Sequence, residues 1–277
     1  MYALDFEYDN QYLSDYGFII CEFEAKNSIE TVKSGSNIVF NKTSTHNGRN
    51  NYLLNAKYDN CIETSFSICK NPCGCKNQLE KVITSDEYRL LIRWLNRKEF
   101  LRFRFISKDS RDVCYYNASF NIETITIAGK LFGLRLNMTT DAPFGYGGDK
   151  HEKILFETSA PHKIIDNSDE IGYVYPDIII YCFMDGDIAI HNDYDDATMI
   201  ITNCSNEETI TIKGDEQIIT TDNDNHDICN DFNYVFPKIG NTYDNRTNTF
   251  TLVQLDDYVY AGCVAEFIYR PIVKENI

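Results

Sequence analysis

This sequence has few positively charged residues, no long apolar run and no basic segment at its start. Lys and Arg number 26 against 42 Asp and Glu, so the formal net charge is −16. Because affinity for nucleic acids comes mostly from Lys and Arg that neutralise phosphates, we expect no stable nucleic-acid binding. No stretch stays apolar for the ~18 residues that a membrane span needs. Met1–Asn10 lacks the features of a secretory signal, so we expect no membrane association and synthesis in a cytoplasm.

Catalytic signatures are also lacking. The sequence contains no G-x-S-x-G elbow, no phosphate-binding G-x-x-x-x-G-K loop and no H-E-x-x-H pair. Its 5 histidines are widely separated along the chain. Glycoside hydrolases use a pair of carboxylates, but such a pair is no evidence of hydrolase activity here, because 42 acidic residues always supply one. We therefore predict that the chain is not an enzyme and uses no cofactor.

The 10 cysteines are mostly scattered, as expected of small apolar residues in a reducing cytoplasm. Cys69, Cys73 and Cys75 lie closer together. Structural zinc sites use two well-separated pairs, each with about two to four residues between its ligands. Here one spacing is a single residue and no second pair follows. We predict no metal site, although the spacing alone leaves metal binding by these three cysteines open.

Two acidic clusters, Asp185–Asp196 and Asp222–Asp227, suggest comparison with calcium loops. Such a loop needs Gly at its sixth position and Glu at its twelfth. Counted from Asp222, these positions hold Asp227 and Asn233. Asp and Asn also stabilise tight turns through local hydrogen bonds. We interpret both clusters as polar hairpin turns.

Apolar residues that alternate with polar ones are the dominant pattern. The alternation is clear in Phe100–Ile106, in Leu131–Met138 and in Cys263–Tyr269. A period of two predicts half-buried strands with one face toward a core. With 19 Tyr and 17 Phe, which favour strands, the composition agrees with a mainly β fold.

One segment, Asp86–Arg97, has a helical period instead. Its apolar residues Tyr88, Leu91, Ile92 and Leu95 are spaced to form one stripe. Thr84, followed by Glu87 three residues later, predicts a capping box at the start. We therefore predict one α-helix in the first half of the chain.

Dense turn residues in Asp141–Asp149 (DAPFGYGGD) predict the end of a first domain. We place an N-terminal β-domain with one α-helix at residues 1–148 and a linker at 149–172. The part of this linker through His162 is interpreted as a connection or as a short extra strand. A second domain follows at 173–277, where short strands at regular spacing predict a β-sandwich. Its predicted strands are Asp177–Phe183, Ile188–His191, Thr198–Thr202, Glu208–Lys213, Gln217–Thr220, Phe250–Leu255 and Cys263–Tyr269.

The order of motifs resembles that of siphophage distal tail proteins, the ring-forming proteins at the end of long flexible phage tails. The resemblance covers nearly the whole chain. The motifs are Ser14–Ile20 (SDYGFII), Arg93–Leu95 (RWL) before the strand Phe100–Ile106, Asn137–Tyr146 (NMTTDAPFGY), Pro176–Ile180 (PDIII), Ile218–Ile228, Val235–Thr242 (VFPKIGNT) and Cys263–Pro271.

This resemblance implies a structural protein of the virion tail tip. The N-terminal domain would form a homo-hexameric ring between the tail-tube protein and the tail hub, through which DNA passes. The second domain would be a galectin-like β-sandwich that contacts a receptor-binding protein. Under this hypothesis, candidate residues of the ring interface are Asp15, Tyr16, Phe18, Phe103 and Phe105; packing within the domain explains each of them equally well.

Two other functions are compatible with these residues. A carbohydrate-binding module of a tail or cell-surface adhesin would use exposed aromatic side chains, for which Tyr173 and Tyr234 are the candidates, either for glycan or for adhesin contact. An enzyme that degrades the host envelope is the least favoured, because no catalytic pattern supports it.

Overall fold

The computed structural model describes residues 5–23, 37–46, 48–75, 77, 79–106, 114–253 and 262–274. These residues are mostly β-strands, so the prediction of a mainly β protein is confirmed. The chain divides into two compact units. The first consists of residues 1–147 together with 273–277, and the second of residues 148–272.

The described residues of the first unit form ten strands, two short 3₁₀ turns and one α-helix. The strands are β1 (Asp5–Tyr8), β2 (Gln11–Tyr12), β3 (Phe18–Cys21), β4 (Ile38–Ser44), β5 (Asn51–Tyr58), β6 (Glu63–Lys70), β7 (Leu101–Ile106), β8 (Tyr116–Ile127), β9 (Lys130–Thr140) and β10 (Gly145–Tyr146). The 3₁₀ turns are Leu13–Tyr16 and Pro72–Gly74, and the helix α1 is Ser85–Leu95.

Seven of these strands form one antiparallel sheet in the order β2-β1-β7-β8-β9-β6-β3. The two edge strands, β2 and β3, are consecutive in the chain and are joined by Leu13–Gly17. Even fully extended, so few residues span only about 20 Å. Edges of a flat seven-stranded sheet would lie about 29 Å apart. The sheet therefore curls until its two edges approach each other.

Helix α1 begins as predicted. The Thr84 hydroxyl accepts a hydrogen bond from the Glu87 amide, and the Glu87 carboxylate accepts one from the Thr84 amide. The helix buries Leu91, Trp94 and Leu95 in the core of the unit. The indole Nε1 of Trp94 donates a hydrogen bond to a β1 carbonyl oxygen over 3.1 Å, which fixes the helix to the sheet.

Aromatic rings fill the centre of this core. Phe6, at the hub of the cluster, stacks on Trp94 with 5.7 Å between ring centroids. It also contacts Phe66, Phe103 and Phe120 at 5.5 to 6.3 Å. Each ring comes from a different strand or from α1, so this cluster connects the sheet across its width. Buried aromatic pairs of this kind add about 0.5–1.5 kcal/mol beyond their buried area.

The second unit is a β-sandwich. Its strands and one short helix are β11 (Lys150–Phe156), β12 (His162–Ile165), β13 (Gly172–Val174), β14 (Asp177–Cys182), β15 (Gly186–Asn192), β16 (Ala197–Cys204), β17 (Thr209–Lys213), β18 (Ile218–Thr221), α2 (Ile228–Asp231), β19 (Ile239–Asn241), β20 (Thr247–Leu252) and β21 (Cys263–Tyr269); β22 (Ile272–Val273) follows in the chain.

Two sheets face each other across one core. One has the order β11-β21-β14-β17-β18, and the other has the order β12-β20-β15-β16. Phe250 and Phe267, one from each sheet, meet at 4.8 Å between ring centroids. The alternation predicted for Cys263–Tyr269 is confirmed, because Cys263, Ala265, Phe267 and Tyr269 are all buried.

Residues 149–172, predicted as a linker, contain β11 and β12. These strands pair with β21 and β20 and complete one edge of each sheet. The second compact unit accordingly begins at Gly148. The alternation was weak here because an edge strand needs less apolar sequence than a central one. The strand predicted at Phe250–Leu255 is Thr247–Leu252, and residues 254 and 255 lie outside the described residues.

Candidate functional site

A two-stranded hairpin formed by β4 and β5 is set apart from the rest of the first unit. We call these two strands the arm. They pair with each other from Ile38 and Tyr58 at one end to Ser44 and Asn51 at the other. Among the described residues they join no other sheet. A lone two-stranded hairpin is marginally stable in water, because it has no second layer on which to bury its side chains.

The two faces of the arm differ. Cross-strand partners share a face, so Ile38, Phe40 and Leu53 lie on one side with Ala56. Ile38, Phe40 and Leu53 are 50%, 52% and 57% exposed. Leu54 is the extra residue at an irregularity in the pairing and is 68% exposed. This apolar side of the arm is a surface suited to contact with another protein.

The opposite face of the arm is mainly polar. Asn41 donates a side-chain hydrogen bond to Asn55 over 2.6 Å, which holds the two strands in register. Tyr52 lies on this face, opposite Thr43. The arm is thus amphipathic. At its base the ammonium of Lys274 lies 5.6 Å from the centroid of the Tyr58 ring.

The charge of the arm is opposite to that of the chain. Residues 38–58 contain Lys42, Arg49 and Lys57 but no Asp or Glu, a formal charge of +3. Since the whole chain carries −16, the remainder carries −19. Lys42 pairs with Leu53 and so shares the face of Phe40, where its ammonium lies 5.6 Å from the centroid of the Phe40 ring in a cation–π contact. The arm therefore offers both an apolar surface and a local positive charge.

Of the predicted interface residues, Phe18 and Phe103 are buried. Phe18 is 2% exposed and Phe103 is fully buried. Phe105 is partly buried and packs edge-on against Phe103 at 4.8 Å. These side chains stabilise the core of their own unit. The side chains of Phe18 and Phe103 have almost no exposed surface, as the alternative explanation of core packing expects, whereas Phe105 keeps part of its surface exposed.

Asp15 and Tyr16 lie in the 3₁₀ turn between the two edges of the sheet. The Asp15 carboxylate is exposed and accepts a hydrogen bond from the Tyr12 amide over 3.3 Å. Tyr16 is partly exposed, stacks on Trp94 at 4.5 Å and donates a hydrogen bond to Gln11. Of the five predicted interface residues, Asp15 is exposed, Tyr16 and Phe105 are partly exposed, and Phe18 and Phe103 are buried. Asp15 and Tyr16 belong to the turn between β2 and β3, whereas the arm consists of β4 and β5.

Tyr173 belongs to an aromatic patch on the second unit. It lies on β13 and is 50% exposed. Its ring meets Tyr194 edge-on at 6.2 Å, and Lys238 lies 4.2 Å from the ring centroid. A Cβ atom at Gly240 would stand under 3 Å from both rings, so glycine permits the rings to approach the backbone. Burial lowers the pKa of Lys238, but the ion pair with Asp195 outweighs it and raises the pKa.

Tyr234 lies elsewhere on the same unit. It is 61% exposed, and its hydroxyl donates a hydrogen bond to the Cys229 carbonyl over 2.8 Å. Its ring contacts Phe232 at 5.4 Å. Tyr173 and Tyr234 share no contact in the described structure, so the two candidate residues do not form one aromatic platform.

His226 and Glu208 form a buried pair in the second unit. Nδ1 of His226 lies 2.5 Å from the carboxylate, and Nε2 lies 2.9 Å from the Thr202 carbonyl. Burial raises the pKa of Glu208, but hydrogen bonds from Thr221, Ser205 and His226 outweigh it and lower the pKa. Both side chains are 1% exposed, so no substrate reaches them. The pair holds the segment before α2 against β16 and β17.

The acidic clusters act as turn residues. Carboxylates of Asp185, Asp187 and Asp222 accept backbone hydrogen bonds at 2.7 to 2.9 Å. These hydrogen bonds come from residues 13 to 21 positions away in the chain, and Asp222–Asp227 links β18 to α2 instead of joining two strands of a hairpin.

All ten cysteines are free thiols. Cys69 is hydrogen-bonded to Cys21 on the neighbouring strand, while Cys75 donates to the Asn71 carbonyl. Within the described ranges, no three His, Cys, Asp or Glu residues are grouped so that they could hold a metal ion. The helices found there are also too short or too polar to cross a membrane.

The arm was not predicted from the sequence. Its signal was present in the alternation of Ile38 and Phe40 with Val39 and Asn41, and in a basic segment free of acids. Alternation predicts a strand with an apolar face but does not say what covers that face. The contrast in charge between residues 38–58 and the remaining chain could have marked the segment as a binding element.

Comparison with known proteins points to one class. A family model described as a phage tail protein N-terminal domain matches residues 1–142. A second model, described as a phage tail C-terminal domain, matches residues 144–269. No curated protein matches.

The fold is similar to that of the Dit protein of phage SPP1, whose crystal structure is described as a paradigm of the hub adsorption apparatus in phages that infect Gram-positive bacteria. The TM-score is 0.65 over 97% of this chain and 99% of that one, at 13% sequence identity. The likeness extends across both units.

Proposed function

Since the chain belongs to a family of phage tail proteins, we propose that it is a structural, non-enzymatic protein of the tail tip. In this proposal six copies form a ring that joins the tail tube to the tail hub and the adhesion apparatus. The ring leaves a passage for DNA during genome ejection. The ring is assembled in the host cytoplasm and then resides in the virion.

The observation that carries this proposal is similarity of fold over the full length of both units. The likeness to the SPP1 Dit protein covers 97% of the chain and so includes both units. The side chains of His226 and Glu208 are almost fully buried, as expected of a pair that stabilises the fold. Proteins of the tube, the hub and a receptor-binding protein are the proposed partners.

The acidic charge suits a DNA passage. Six copies, each with a formal charge of −16, would carry about −96 in total. Such a wall repels the phosphate backbone and prevents DNA from adhering as it passes. Repeated head-to-tail contacts between identical subunits close into a ring when each contact contributes the same rotation.

Assembly of the purified full-length chain tests the proposal. Light scattering after size-exclusion chromatography is expected to give a species of six times 32.0 kDa at high protein concentration, and negative-stain images are expected to show rings. The same measurements are made in the presence of the tube and hub proteins. A chain that stays monomeric in every mixture would contradict the proposal.

A carbohydrate-binding module is the second candidate, and the exposed patch of Tyr173, Tyr194 and Lys238 favours it. Aromatic faces bind the apolar side of sugar rings. The test is a glycan array with the wild type and with Tyr173→Ala. Tyr181→Ala is the matched control, because Tyr181 is 44% exposed on β14, away from the patch. Glycan binding lost only in Tyr173→Ala would support this second function, and no binding by the wild type would reject it.

A further inference from the structure

We propose that Cys21 and Cys69 form a redox site, at which a small-molecule disulfide oxidises the two thiols to a disulfide bond that joins β3 to β6 and stabilises the first unit. Both thiols lie on neighbouring strands of the seven-stranded sheet. The reaction is independent of the ring proposed above. It adds a covalent modification to a chain whose ten cysteines are free thiols.

The strand register places the two sulfur atoms on one face of the sheet. Ile19 is paired with Cys69, and Cys21 is paired with Ser67. Since residues two apart share a face of a strand, Cys21 and Cys69 are diagonal neighbours on the same face. Diagonal neighbours are usually farther apart than directly opposed ones, but these two thiols are already hydrogen-bonded to each other. As an edge strand of four residues, β3 can shift by the small distance that an S–S bond requires.

The surroundings make Cys69 the more reactive of the two thiols. The hydrogen bond from Cys21 lowers the pKa of Cys69; burial opposes this, and the positive charge of Lys81 adds to it. The same hydrogen bond raises the pKa of Cys21, and so does burial. Because the thiolate is the form of cysteine that attacks disulfides, Cys69 is the nucleophile and Cys21 completes the reaction. Both side chains are partly exposed, which gives a small oxidant access to them.

The chemistry is thiol–disulfide exchange in two steps. The Cys69 thiolate attacks one sulfur of a small disulfide such as oxidised glutathione, which forms a mixed disulfide and releases one glutathione. The Cys21 thiol then loses its proton and attacks the Cys69 sulfur, which releases the second glutathione. Two protein thiols are thus oxidised while one small disulfide is reduced to two thiols. The protons of Cys69 and Cys21 end on the two released glutathione molecules.

A second pair of cysteines shows why access matters. Cys182 and Cys263 are directly opposed on β14 and β21, so their positions in the sheet also favour a disulfide. They are only 4% and 0% exposed, and burial raises the pKa of Cys263. Buried thiols of this kind are inert toward oxidants in water. We therefore expect the Cys21–Cys69 pair to be oxidised before the buried pair.

The redox state of the compartment decides when the bond forms. Thiols stay reduced in a cytoplasm, whereas disulfides persist outside the cell. Under the function proposed above, the pair is reduced while the tail is assembled and becomes oxidised after the virion is released. This timing rests on the proposed function, whereas the reaction itself does not.

Oxidation of the reduced full-length chain by oxidised glutathione tests the site. Disulfides are identified by mass spectrometry after the remaining thiols are alkylated and the protein is digested without reduction. We expect Cys21–Cys69 to be the first disulfide formed within the native chain. The same reaction in concentrated urea is the control, and there we expect many different pairs among the ten cysteines. If another pair forms first in the native chain, or if Cys21–Cys69 does not form, the inference fails.

Single substitutions separate the roles of the two thiols, with circular dichroism to establish that each variant is folded. Cys21→Ser can still donate a hydrogen bond but cannot complete the exchange, so it should retain one glutathione on Cys69. Cys69→Ser should react at Cys21 at least about tenfold more slowly. Cys229→Ser, which removes an exposed thiol of the second unit, should form the disulfide at the wild-type rate. Equal rates in the first two variants, or no glutathione on Cys69 in the first, would overturn the inference.

Unfolding of the wild type gives a test that needs no variant. The disulfide closes a loop of about 50 residues and so restricts the unfolded chain. Trp94 is the one tryptophan of the sequence and lies in the core of the first unit, so its fluorescence reports unfolding there. Oxidation is expected to raise the thermal midpoint by about 5–10 °C, and dithiothreitol should reverse the rise. An unchanged or lower midpoint would contradict the proposed stabilisation.

Discussion

Two antiparallel hairpins of the first unit, the pair β8–β9 and the arm, share a local pattern but have different surroundings. In β8–β9 the apolar partners Phe120 and Met138 are both buried. In the arm Phe40 and its partner Ala56 are both exposed. The apolar face of β8–β9 packs into a core under α1, while the arm lies outside that core. An alternating hairpin is therefore either part of a core or a candidate interface, depending on what lies above it.

The largest effect is expected from removing a ring from the covered hairpin. Phe120→Ala should lower the free energy of unfolding of the first unit by about 3–5 kcal/mol, since it leaves a cavity among Phe6, Tyr8 and Phe103. Urea denaturation monitored by circular dichroism measures this. A loss under about 1 kcal/mol would mean that the β8–β9 face is no better covered than the arm.

The second largest loss of stability is expected from removing the hydrogen bond that joins α1 to the sheet. Trp94→Phe keeps an aromatic ring but removes the hydrogen bond to the Tyr8 carbonyl. The Tyr8 carbonyl still accepts the Gln11 amide of the β1–β2 pair, but the smaller ring also leaves a gap beside Phe6 and Tyr16, so we expect a loss of about 1–3 kcal/mol. Denaturation of the variant beside the wild type gives the value, with Leu90→Ser, an exposed change on the same helix, as the control. A variant as stable as wild type would show that the hydrogen bond from Trp94 to the Tyr8 carbonyl does not stabilise the packing of α1 on the sheet.

The cap of the covering helix should have a smaller effect. Thr84→Ala removes the hydroxyl that accepts from the Glu87 amide, so a loss of about 1 kcal/mol is expected. Thr84→Ser keeps the hydroxyl and should recover most of the stability. Thermal unfolding of both variants provides the comparison. Equal losses in the two would exclude capping as the cause.

The same cap makes a small part of the stability depend on pH. Burial raises the pKa of Glu87, but hydrogen bonds from Lys70 and Thr84 outweigh it and lower the pKa. The contribution is therefore present above the ordinary pKa of Glu and is lost as pH falls through the lowered one. Glu87→Gln should remove this part, a few tenths of a kcal/mol for so exposed a group. Unfolding at pH 7 and pH 3 checks it; an identical pH response in wild type and variant would contradict it.

The smallest effect on stability is expected in the arm. Leu53→Ser should change the free energy of unfolding of the isolated subunit by under about 0.5 kcal/mol, because its side chain is already largely in water. Leu136→Ser in β9, a fully buried leucine, serves as the opposite case. Denaturation in dilute solution measures both. A large loss for Leu53→Ser would place the arm within the core and end the distinction between the hairpins.

Much of the local structure could be predicted from the sequence. Helix α1 and its cap depend on residues within about a dozen positions, and the inward side chains of β21 follow directly from alternation. The assignment of Phe18 and Phe103 to an interface shows the limit, because alternation identifies an apolar face without saying whether a core or a partner covers it. The strands at 150–156 and 162–165 lie in the segment predicted as a linker, for which a short extra strand was the alternative.

By itself, the sequence determined a mainly β chain with one capped helix, an acidic surface and the order of motifs that marks a phage tail protein. Only the tertiary structure decided which apolar faces meet. The reason is that strand partners such as β1 and β7 lie almost a hundred residues apart, and no local pattern encodes their pairing. The same folding that buried Phe103 left Phe40 exposed, because only Phe103 lies on a strand of the sheet that packs against α1.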